Sequence, residues 1–74
     1  MTVEQIGELH RARRAAHAYA RAAADMADFL ERAEAVPDPA LLVESAALLA
    51  REESARQIRD EACAAIGLAA PSIE

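Results

Sequence analysis

The chain predicts an all-α fold, an antiparallel hairpin of two long helices that dimerises into a four-helix bundle. Three observations carry that prediction. Alanine dominates the composition, and glycine and proline are nearly absent outside one short stretch. The clear helix-breaking sequence, Val36-Pro37-Asp38-Pro39, lies near the middle. The segment Ala40–Ala50, "ALLVESAALLA", is apolar on nearly all sides of a helix, so one neighbouring helix cannot cover it.

The first helix is expected over about residues 2–35. Thr2 with Gln5 three residues on reads as a capping box, and Glu4 suits the positive end of the helix dipole. Gly7 costs about 1 kcal/mol relative to alanine but does not break the helix. A heptad reading places Leu9, Ala16, Ala23 and Leu30 at a, and Ala12, Tyr19, Met26 and Ala33 at d, with Ile6 and Phe29 flanking. Most of these seam residues are small. The helix axes can therefore approach closely, while Tyr19, Met26, Phe29 and Leu30 carry most of the hydrophobic energy.

The turn is expected at 36–38, because two prolines in three residues cannot continue a helix. Asp38 is suited to the N-cap and Pro39 to the first helical position, so the second helix should run over about 39–66. Gly67 fits the left-handed position after a helix, and Pro71 blocks further extension, leaving 67–74 as a tail. In the second half of this helix, Ala55, Ile58, Ala62, Ala65 and Ile66 read as a single stripe. In the first half, Leu41 and Leu48 point one way and Leu42, Ala46 and Leu49 about 100° away. Leu41, Leu42, Ala46, Leu48 and Leu49 are thus the candidate partner interface, for a second copy of the chain or another helical protein.

At 74 residues the chain is one domain, 1–74, and too short to bury a large core. One cysteine, Cys63, cannot form an intramolecular disulfide, which leaves oligomerisation as the remedy. Cys63 reads as a buried inert thiol, since no activating base is near it in sequence. Neither a signal peptide nor a membrane span is expected, and the expected location is cytoplasmic.

The sharpest local feature is "HRARRAAHAYARAAAD", residues 10–25, which holds four arginines and two histidines before the first acid in an otherwise acidic chain of net charge −5. Arg11, Arg14, His17 and Arg21 are candidate polyanion contacts, which makes a small nucleic-acid-binding or regulatory protein the alternative function. The chain's acidity and the scarcity of aromatics argue against that reading. Charge pairing across the hairpin accounts for the arginines better, with Glu53, Asp60 and Glu61 as the expected complement. Intrahelical pairs Arg21–Asp25, Asp28–Arg32, Glu52–Arg56 and Arg56–Asp60 have i,i+4 spacing. His10 and His17 are seven residues apart, about 10 Å along the axis, which is too far to share a metal. No catalytic constellation, metal site or cofactor is expected, and the reading is a non-enzymatic protein–protein interaction module.

Overall fold

The computed structural model describes residues 2–33 and 38–68. Two helices, α1 (Val3–Arg32) and α2 (Pro39–Ala65), fold back on each other as a hairpin of 53 × 30 × 16 Å. No strand occurs among the described residues.

Local chemistry sets each helix end. The Thr2 hydroxyl accepts from the Gln5 amide at 3.2 Å, and the Gln5 side chain accepts from the Thr2 amide at 2.8 Å, completing the capping box. Helix α1 stops at Arg32, three residues short of the sequence expectation, where Ala33 turns extended with ψ at 134° and its amide still bonds to Phe29. The expected break at Val36-Pro37 lies outside the described residues. Asp38 caps α2 through its carboxylate, which accepts from the Leu41 amide at 2.9 Å. At the far end, Gly67 takes φ of 84°. The Leu68 amide bonds to the Cys63 carbonyl at 2.8 Å, and the Gly67 amide to the Ala64 carbonyl at 3.0 Å. That pair of bonds is a Schellman motif, and the left-handed residue it requires explains the glycine.

The seam between the helices is rotated relative to the heptad reading. The buried residues of α1 are Ala12, Ala15, Ala22 and Phe29, and Leu9, Tyr19, Ala23 and Met26 are half-buried. Ala16 is exposed and Leu30 is 64% exposed, so the row assigned to a lies at the edge of the seam and outside it. Ala15, Ala22 and Phe29, one position earlier in each heptad, take its place. Phe29 decides the phase: it is the largest apolar side chain of α1, and covering it turns Leu30 outward by one residue step of 100°.

On α2 the row facing α1 is Leu41, Ser45, Leu48, Glu52, Ala55, Arg59, Ala62 and Ile66, all buried or half-buried and spaced alternately four and three. Three of the eight are polar. Ile58, expected in the stripe, is 55% exposed, and Ala65 is also exposed. Long side chains can occupy such a row by burying their stems and keeping their heads wet. Arg59 does so with its guanidinium 4.3 Å from the centre of the Tyr19 ring, a cation–π contact across the hairpin. Ser45 donates to the Leu42 carbonyl at 2.9 Å.

The two halves of the seam are closed to different degrees. Ala12, Ala15 and Ala62 form a buried cluster with Cys63 and Ile66 packed on it at the end away from the turn. Near the turn, Phe29 is the one buried large side chain among the described residues, and the leucines of α2 are half-buried or exposed.

Candidate partner-binding face

Among the described residues two ion pairs cross the hairpin, Arg51 with Asp25 at 2.6 Å and Arg32 with Glu44 at 3.7 Å. Both fix the same register, in which residues whose numbers add to 76 lie level. Both also lie on one side of the seam, which may be called the ion-paired side. Helical phase then assigns the remaining rows. Leu9, Ala16, Ala23, Ala27 and Leu30 of α1 project to the opposite side, as do Leu42, Ala46 and Leu49 of α2.

The candidate interface residues divide accordingly. Leu41 and Leu48 are half-buried against α1 and form part of the seam. Leu42 and Leu49 are each 57% exposed, and Ala46 lies exposed between them. Level with Ala46 is Leu30, which the sequence reading had placed inside the hairpin. The exposed set is therefore broader than expected: Leu30 and Ala27 from α1, with half-buried Ala23 at its edge, beside Leu42, Ala46 and Leu49 from α2. Val43, 72% exposed, extends it around the back of α2. The signal that could have found Leu30 was the spacing 12, 15, 19, 22, 26, 29, 33, an alternative heptad that competes closely with the one chosen.

The basic stretch is not paired in the way the sequence suggested. Glu53 pairs within α2 with Arg56, and Asp60 pairs with its neighbour Arg59 at 2.9 Å. The Arg56 guanidinium hydrogen-bonded to the Glu53 carboxylate holds that carboxyl below its ordinary value and raises the arginine above its own. Among the described residues, no carboxylate lies within salt-bridge distance of Arg11, Arg13, Arg14 or Arg21. The four anticipated i,i+4 pairs are also replaced: Asp25 and Arg32 turn across the hairpin, and Arg56 bonds to the nearer Glu53. Arg14, His17 and Arg21 line a shallow hollow on the outer surface of α1 with Ala20 and Ala24, while Arg11 lies nearer the N-terminus. His10 and His17 are both exposed.

Cys63 is a free, half-buried thiol against the alanine cluster. Among the described residues there is no group of three or more His, Cys, Asp or Glu side chains able to hold a metal ion. No helix is long and apolar enough to cross a membrane among the residues described. The chain matches no family model, no curated protein and no solved structure.

Proposed function

We propose that this chain is a non-enzymatic protein–protein interaction module that works as a homodimer, two hairpins joining through the face built by Leu30, Leu42, Ala46 and Leu49. The observation that carries the reading is the set of side chains left uncovered: among the described residues, four of the five buried apolar residues are alanines, while Leu30, Leu42 and Leu49 remain outside. A chain that keeps its smallest residues inside and its larger ones outside gains most of its burial from association.

Sedimentation velocity or light scattering at micromolar concentration tests this. The expected result is twice the chain mass, and Leu49→Glu is expected to give a monomer. A well-folded wild-type monomer would overturn the proposal.

A second reading has one observation behind it: Arg11, Arg14 and Arg21 are exposed and have no salt bridge among the described residues, in contrast to Arg32, Arg51, Arg56 and Arg59. Such a face could hold a polyanion such as nucleic acid, with affinity falling steeply with salt. Fluorescence anisotropy with a labelled oligonucleotide at low salt decides between the two. Saturable binding lost in Arg14→Glu would establish this second reading, and no binding would leave the arginines as solubilising charge.

A further inference from the structure

We infer that the partner on the apolar face is a second copy in parallel alignment, turn beside turn, with the two-fold axis running along the hairpin. This rests on the homodimer reading and adds the geometry and the charge contact that select it.

The face is not uniform along its length. Its turn-proximal half is apolar, through Leu30, Ala27, Leu42, Ala46 and Leu49. Its other half carries Arg13 beside Leu9 and Ala16 on α1, and Glu53, Arg56 and Asp60 on α2. A two-fold axis perpendicular to the hairpin at its middle would lay the charged half of one copy on the leucines of the other. An axis parallel to the hairpin lays leucines on leucines along the same levels. It places α1 opposite the partner's α2 and keeps each helix antiparallel to both neighbours; the perpendicular axis does so too, so the match of the two faces makes the choice.

Charge complementarity favours the same choice. Arg13 is exposed on this side of α1 and has no salt bridge among the described residues. In the register set by the two crossing ion pairs, Arg13 is level with Cys63. In the parallel dimer it therefore lies beside the segment around the second copy's Cys63. Asp60 is one helical turn away on the same side, within reach of an extended arginine. The pairing occurs twice by symmetry, and it gives the stretch 10–25 an acidic complement that its own hairpin does not supply.

A spin-label distance measurement tests the alignment with the full chain. The label is attached at position 64 in a Cys63→Ala, Ala64→Cys variant; Ala64 is exposed. With helices 8–10 Å apart, the parallel dimer places the two labels at one height and less than roughly 30 Å apart. A perpendicular axis at the middle of the paired length 39–66 separates them by about 34 Å along the bundle, from a rise of about 1.5 Å per residue. A dimer with the long distance would overturn the alignment and leave the homodimer reading intact, whereas a monomer by light scattering would remove both. Charge exchange supplies the second readout. Arg13→Asp and Asp60→Arg singly are expected to weaken the dimer at least fivefold, and the double variant to recover most of that loss. Single variants that dimerise like wild type would overturn the Arg13–Asp60 contact.

Discussion

The two ends of the hairpin solve the same packing problem in opposite ways. Away from the turn, Ala12, Ala15 and Ala62 bring the helices together and close the seam, with Tyr19 and Arg59 stacked across it. Near the turn, Phe29 is covered, but Leu30, Leu42, Val43 and Leu49 face outward. Small residues give close approach and little buried area; large ones give area but need cover on more sides than two helices provide. Val3, Ile6, Ile58 and Leu68 are exposed at the other end as well, so the two halves differ in the seam itself, closed by alanines in the terminal half and covered at Phe29 near the turn.

The contrast can be broken most severely at Phe29. Phe29→Ala is expected to cost about 3–5 kcal/mol, comparable to the whole stability of a domain this small. Circular dichroism at 25 °C and micromolar concentration should show most of the helical signal lost. An unchanged melting curve would mean that the turn-proximal seam contributes little. Next in size is the closed end. Ala62, 2% exposed, has no room to grow, so Ala62→Leu is expected to destabilise by about 1–3 kcal/mol through overpacking. A lowered melting temperature with an unchanged oligomeric state would separate the two halves; a stabilised variant would show that the alanine cluster is loosely packed.

The smallest effect is electrostatic. Hydrogen bonding from Arg56 lowers the Glu53 pKa, so its contribution is present above the unfolded-state value and is lost as pH falls through the lower folded value. Thermal melts followed by far-UV circular dichroism should show Glu53→Gln slightly less stable than wild type at neutral pH, with the difference closing as pH falls through the acid range. Identical melts would remove the pair from the account.

Much of the backbone was legible in the sequence because helix ends are local. The Thr2–Gln5 box, the Asp38 cap before Pro39 and the left-handed Gly67 each need only a few neighbouring residues. The exposed Leu42–Ala46–Leu49 row was legible for the same reason, since an apolar segment on all sides of a helix declares that one neighbour is too few.

The phase of the seam was decided by tertiary structure. Two heptads one residue apart compete on α1, and alanine fills both, so periodicity alone does not choose between Leu30 and Phe29. Packing against α2 chooses, and α2 in turn faces inward with a row containing Ser45, Glu52 and Arg59 that no hydrophobic pattern would select. The ion pairs followed the same logic. Asp25–Arg51 and Arg32–Glu44 depend on helix rotation as well as level. The sequence alone determined two capped helices, a break between them and an apolar surplus near that break. Only the three-dimensional packing settled which leucines carry the surplus, because the rotation of one helix against another depends on long-range side-chain fit.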